Sequence, residues 1–399
     1  MAATTPVDVV VDVDLEELEH DPYPFYARLR RESPVAYLPA VGRVFVATWD
    51  LCHEAGRDFA TYGPTTALFN RVYGDPNVMS IDGPAHRALR DAVKAPFMPG
   101  AITDHREAVL RPVAVRAIEA IRDRGRADLA ADLCVPVSVR AIGDLIGFTD
   151  VDDATLNRWF HDYGAYMVDL TGSEDAARRG RAAKDEVRAY LATDRRHRAA
   201  PVGGTTTAIG SLFHHGRDPG DPRTIEEIIG TMGVIIVGGL QEPAHATANA
   251  LLGSLRSAVA RERLVADPSA WAEPAMEEGL RWLAPFGMTE KRTTADTSLG
   301  GIRIPGGTEI GLGLASANHD ETRFENAAGF DLDRPRLGHT SFGFGTHFCI
   351  GNVVARALGA IVIEELFRRL PGLRLDPAAE PVVDGWHVRG AKRLPVVWG

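Results

Sequence analysis

The chain has 399 residues, is 45% hydrophobic and 25% charged, and carries a formal net charge of −10. That balance argues against nucleic acid as a partner, because phosphate contact needs a basic face. Three scattered cysteines (Cys52, Cys134, Cys349) do not make a disulfide framework and suggest a reducing cytoplasm; the acidic start does not read as a signal peptide, and no run of about 20 apolar residues offers a membrane span.

With no long linker and no repeat of fixed period, the chain reads as a single mainly helical domain over 1–399. Residues 14 to 33 open the helical pattern, with Asp21-Pro22 ahead of Tyr23, Phe25, Tyr26 and Leu29. Alternation from Val35 to Thr48 around Gly42 predicts a β-hairpin, and Asp50 to Arg57 a short helix. From Tyr62 to Gly83 the chain is apolar and irregular, with Tyr73 and Met79 in it, and a loop of that length and character usually carries function. Pro84 opens a helix that puts His86 and Arg90 at i, i+4 on one face. Such a pair can grip a carboxylate, or it is an ordinary solvated face.

Two helices are expected over 104–148. A helical region follows from Asp152 to Arg198, with Phe160, Tyr163, Tyr166 and Met167 on its first half and a charged loop at 172–181. Gly203 to Thr207 reads as a flexible link. Residues 222 to 260 form the longest helical pattern, nearly all apolar before Gln241, and a helix apolar all round lies in a core. Gly238, Gly239 and Pro243 in its middle cost about 1 kcal/mol per glycine and about 3 for proline. Either a local distortion serves a site there, or a loop divides two shorter helices. Beyond it, Glu278 and Arg281 stand at i, i+3, a spacing common enough to mean little alone.

The most specific stretch is Ser341 to Ala357, SFGFGTHFCIGNVVARA. Gly343, Gly345 and Gly351 let the backbone pass close to something large and flat. After Gly351 a helix is predicted by Val354, Ala357, Leu358 and Ile361. Unpaired N–H groups and the positive helix end around Cys349 favour a thiolate. A thiolate in such a pocket suits an axial ligand of a haem iron. The bland reading is an inert cysteine in a tight turn.

FGFGTHFCIG resembles the haem-binding signature of the cytochrome P-450 family, F-G-x-G-x-H/R-x-C-x-G, with every fixed position filled. The resemblance runs from Asp21 to the carboxyl end and is to the bacterial type without a membrane anchor. It implies the cytochrome P-450 fold, mainly α, a helical bundle enclosing haem b (iron protoporphyrin IX) with small β-sheets. It implies Cys349 as the iron ligand, with Phe342 and Gly351 also in the haem-binding loop, and His86, Arg90, Arg292 and His347 on the propionates. Glu278, Arg281 and Arg334 would form a buried network bracing the cysteine loop. Residues 62–83 would cover the distal face, and 152–198 would form the lid.

In O2-using members of that family the central helix carries A/G-G-x-D/E-T. This chain has Gly238-Gly239-Leu240-Gln241-Glu242-Pro243, so Gln241 takes the place of the acid and Glu242 that of the alcohol. A carboxyl there can serve as general base and then acid for hydrogen peroxide, with Gln241 orienting it; the alternative is an ion pair with no chemical part. The Gln-Glu-Pro triplet, VPVSVRAIGDLIG at 135–147 and EEGLRWLAP at 277–285 also resemble a small bacterial group that demethylates lignin-derived methoxyphenols, guaiacol and syringol among them, to a phenol and formaldehyde. The expected pocket walls are Tyr73, Met79, Met167, Val234, Val237, Gly238, Phe286, Thr289 and Val388, mostly apolar as a small aromatic ligand requires. The partners implied are a small aromatic substrate and either hydrogen peroxide or O2 with a ferredoxin and reductase. Two other readings stand beside this one: a reductase-dependent hydroxylase of another small hydrophobic molecule, and a haem-thiolate protein that binds without turnover.

Overall fold

The computed structural model describes residues 6–169, 172–199, 207–218, 220–240 and 242–399. The fold is built around two helices at its centre, Ile225–Leu240 and Glu242–Arg256. The first opens on Thr224, whose backbone N–H donates to Glu227 Oε2 (2.7 Å) while the Glu227 N–H donates to Thr224 Oγ1 (3.3 Å), a reciprocal cap. The second is buried at every position from Pro243 to Leu255. Apolar on all sides, both must be wrapped. Val135–Ile146 and Asp153–Val168 pack on the first, and Pro268–Trp282 and Asn352–Arg369 on the second. Contact is closest where Gly279 meets Ala250: a Cβ on that glycine would stand 2.4 Å from the alanine's.

A small sheet flanks the helices. In chain order its strands are β1 (Val35–Leu38), β2 (Arg43–Val46), β3 (Tyr62–Gly63), β4 (Thr289–Thr293) and β5 (Glu309–Leu312), and in space β1-β2-β5-β4-β3. β1 and β2 form the expected hairpin about Gly42, and β2 pairs parallel to β5 with Val44 opposite Ile310.

Several boundaries differ from the sequence reading. Residues 62–83 are not irregular throughout, since Thr66–Tyr73 is a helix. Its Phe69, Val72 and Tyr73 fall at i, i+3, i+4 and are buried, a stripe too short to stand out among loop residues. The charged stretch at 172–181 is mostly helix: Ser173 caps Glu174–Thr193 by accepting from the Ala176 N–H, and Asp175 pairs with Arg178 and Arg179 on the next turn. Within 104–148 a strand, Arg126–Asp128, lies between the helices. The long central pattern begins at Ile225 and ends at Arg256, and the expected flexible link lies, apart from Thr207, outside the described residues. No helix among the described residues is long and apolar enough to cross a membrane, and all three cysteines are free.

Candidate active site

The cysteine loop gets its shape from two glycines in the left-handed region, Gly343 (φ 70) and Gly345 (φ 57). A Cβ on Gly345 would also strike Phe59 at 2.3 Å. The loop is pinned on both sides of the sulfur. The Cys349 N–H donates to the Phe342 carbonyl (2.8 Å), and Asn352 Nδ2 donates to the Cys349 carbonyl (2.8 Å) from the first turn of Asn352–Arg369. Desolvation pushes the Cys349 thiol up to about 11, and the charge of Glu242 adds to the rise; the Gly351 amide and the cations Arg90 and Arg356 act the other way. The Gly351 amide thus acts in the direction the loop pattern implies, and burial opposes it.

Glu242 opens the second central helix. Its Oε2 is enclosed and has no hydrogen-bond partner among the described residues. Desolvation raises its pKa from 4.5 to about 7, and its charge acts on Cys349 and on Tyr73, whose phenol burial holds well above 10. One turn earlier Gly238 is exposed although Ile235, Ile236, Val237 and Leu240 around it are buried. A Cβ on it would lie 3.9 Å from Glu242 Oε2. Gln241 lies outside the described residues.

His86, Arg90 and His347 converge beside the cysteine loop. The two imidazoles meet at a tilt of 37° with centroids 4.3 Å apart, His347 Nε2 contacts Asp82 Oδ1 at 2.7 Å, and Arg90 donates to the Phe348 carbonyl. Desolvation lowers His86 to about 4 and also lowers His347, so both are neutral at pH 7. Arg292 stands apart. In β4 it points outward, half exposed, and donates to the Gly307 carbonyl (3.0 Å). Its neighbour Lys291 turns inward, with Nζ 3.8 Å over the Phe59 ring and its charge acting on His347. Sequence reasoning missed Lys291; alternation along β4 was the signal available.

The structure divides the expected pocket walls into two groups. Tyr73 and Val237 are buried around the central helix, Val234 and Met79 are half-buried against the same core, and Gly238 and Glu242 lie on the less enclosed side of that helix and at the head of the next. Met167 and Val388 line a cavity of about 660 Å³ with Phe160, Arg43, Glu290 and His387. Phe286 bridges to Val388 and meets His387 edge-on at 4.7 Å, and Thr289 begins β4 opposite Leu312. Tyr73 links the groups, its hydroxyl 3.0 Å from Met167 Sδ. Behind the loop, Glu278 Oε1 accepts from Arg281 Nη2 (2.6 Å) and Arg334 Nε (3.1 Å), all three buried.

These residues fit a haem. His86 Nε2 is a buried polar atom without a partner among the described residues, Gly238 bares backbone beside the buried Ile235, Ile236, Val237 and Leu240, and Phe348 beside the cysteine is 38% exposed for so apolar a ring. A flat apolar macrocycle with acidic edges meets all three. The architecture and cleft define a haem protein of the helical oxygenase class.

Comparison with known proteins narrows this. The family profile described as Cytochrome P450 matches residues 272–371. A Steroid C26-monooxygenase of Mycobacterium tuberculosis is 31% identical over 375 residues, covering 94% of this chain and 92% of that protein. Cytochrome P450 monooxygenase PikC of Streptomyces venezuelae is 29% identical, covering 96% and 92%. The crystal structure of CalO2 superposes with a TM-score of 0.86 at 25% identity, over 97% of this chain and 98% of that one. The chain belongs to the cytochrome P450 family. It therefore binds haem b, and its reaction class is that of a monooxygenase.

Proposed function

We propose that this single domain is a haem-thiolate oxygenase that demethylates methoxyphenols of the guaiacol and syringol type, with Cys349 on the iron and Glu242 moving the proton. Haem held by a thiolate supplies the oxidation of a C–H bond, using hydrogen peroxide or O2 with reducing equivalents. One oxygen atom entering a methyl C–H bond gives a hemiacetal, which divides into a phenol and formaldehyde. The carrying observation is Glu242. Its enclosed Oε2 has no hydrogen-bond partner among the described residues, and a carboxyl that desolvation raises to about 7 is suited to take and return a proton near neutral pH. An ion pair, the bland alternative, is absent for that oxygen among the described residues. In this reading Gln241 orients the carboxyl. His86, Arg90 and His347 hold the propionates, while the outward-facing Arg292 takes no part; Phe342 and Gly351 shape the loop, and Glu278, Arg281 and Arg334 brace it.

The test is formaldehyde release from syringol and guaiacol with peroxide alone. Glu242→Gln keeps size and hydrogen bonding but removes the proton. Turnover is expected to fall at least ~100-fold, the low end for a general acid–base group, while the substrate-induced high-spin shift persists. Intact peroxide turnover in that variant defeats the reading. A second reading has its own support. The 660 Å³ cavity falls in the ~300–1,000 Å³ range of drug-sized ligands, and one relative is named for a steroid. Reductase-dependent hydroxylation of a larger hydrophobic molecule takes over if steroids or lipids, and not methoxyphenols, produce the high-spin shift.

A further inference from the structure

One cation beside the cysteine loop, Arg356, has no part in the chemistry above. Arg356 stands one turn into the helix that follows Cys349, and its guanidinium makes three contacts of different kinds. Cζ lies 4.3 Å from the centroid of the Phe342 ring, whose carbonyl receives the Cys349 N–H. Nη1 donates to Asn352 Oδ1 (3.1 Å), and the same Asn352 donates from Nδ2 to the Cys349 carbonyl. Nε and Nη2 fork onto Glu277 Oε2 (2.7 Å) and Oε1 (3.1 Å). Burial opposes ionisation of Glu277, but His339, 3.3 Å from Oε1, and Arg356 together hold its carboxyl well below the ordinary range.

The charges are thus ordered. The cation touches both groups that pin Cys349, through a ring face and through an amide, and the anion lies one guanidinium further out. A fixed positive charge beside a sulfur stabilises electron density there, and more so in a dry site. Adding an electron to an iron bound to that sulfur increases the density, so the cation favours reduction and its counter-charge moderates it.

We propose that Arg356 is a positioning residue that raises the reduction potential of the haem held at Cys349, through Phe342 and Asn352, with Glu277 as its moderating counter-charge. The inference rests on Cys349 being the iron ligand.

The experiment is spectroelectrochemical titration of the ferric holoenzyme at matched haem content, with the ferrous carbonyl band recorded for each protein. Arg356→Gln is expected to move the reduction equilibrium at least threefold toward the ferric form, about 30 mV at 59 mV per decade for one electron. Glu277→Gln, which removes the counter-charge, is expected to move it the opposite way by a smaller amount. Arg356→Lys keeps the charge and is expected to stay within threefold of wild type. A brace without electrostatic effect would weaken haem retention in both Gln variants and leave the potentials alone. If Arg356→Gln fails to retain haem, the sign of the Glu277→Gln shift decides. Potentials that do not move, or Gln variants that move in one direction, overturn the proposal. A wild-type carbonyl band of the histidine-ligated kind would instead overturn the assignment of Cys349.

Discussion

Replacing Glu242 by glutamine should stabilise the protein, and only above the acidic range. Desolvation takes the carboxyl from 4.5 to about 7, about 2.5 pH units, and at 1.36 kcal/mol per unit the full cost of ionising it is about 3 kcal/mol. Below pH 4.5 the group is protonated whether the chain is folded or unfolded, and the shift costs nothing. Between 4.5 and 7 the unfolded chain releases the proton while the folded chain keeps it, so stability falls as pH rises. Above 7 the loss is complete. Glutamine has no such titration. The difference in unfolding free energy between Glu242→Gln and wild type should be about 3 kcal/mol at pH 8 and under about 1 kcal/mol at pH 5. Urea denaturation of both holoenzymes at the two pH values measures it, and the between-pH difference cancels effects of the substitution unrelated to charge. Equal differences at pH 5 and pH 8 would refute the desolvated-carboxyl account and remove the basis for proton transfer by Glu242.

Two further outcomes follow from named contacts. Cys349→His should abolish the strongly red-shifted ferrous carbonyl band expected of thiolate ligation; a wild-type band at the position of histidine-ligated haems would contradict Cys349 as ligand. Glu278→Gln leaves Arg281 and Arg334 buried without their shared carboxylate, which should cost ~3–5 kcal/mol in the urea midpoint and speed haem loss; a cost below about 1 kcal/mol would show that the carbonyls of Ala327, Gly329 and Asn318, which also receive Arg281, suffice.

The parts legible in the sequence were those fixed by local pattern. Gly343 and Gly345 of the cysteine loop stand where positive φ is required, Glu278 and Arg281 are adjacent by helical spacing alone, and the β1–β2 hairpin needed only alternation about Gly42. What was not legible depends on which way a side chain faces after folding. Arg292 and Lys291 are neighbours of like charge in a strand, and only the pairing of β4 with β5 decides which turns toward Phe59 and His347. The helix Thr66–Tyr73 has a correct but short apolar period, and its burial against the central helix selects the helical form over a loop. Arg356 and Glu277 are distant in sequence and carry no motif of their own; their pairing exists only because Pro268–Trp282 and Asn352–Arg369 pack together.

The carboxyls Glu278, Glu277 and Glu242 differ in one respect that bears on function. Glu278 accepts from two guanidinium groups and from the Asp331 N–H (3.0 Å), and Glu277 accepts an arginine fork with an imidazole beside it. Arg356 and His339 hold Glu277 well below the ordinary carboxyl range. Glu242 Oε2 has no such partner among the described residues, and its charge raises the pKa of both Cys349 and Tyr73. A partnered acid in a dry interior costs little and does not titrate near neutrality, whereas an unpartnered one costs about 3 kcal/mol when ionised. Fixed charge therefore lies behind the cysteine loop, and the carboxyl raised to about 7 opens the second central helix, the division that the proposed potential-setting and proton-transfer roles require. If Glu242 were there for packing alone, glutamine or leucine would fill the same space without the penalty. The penalty is what a proton-transfer role accounts for, and the pH 5 to pH 8 comparison measures it independently of turnover.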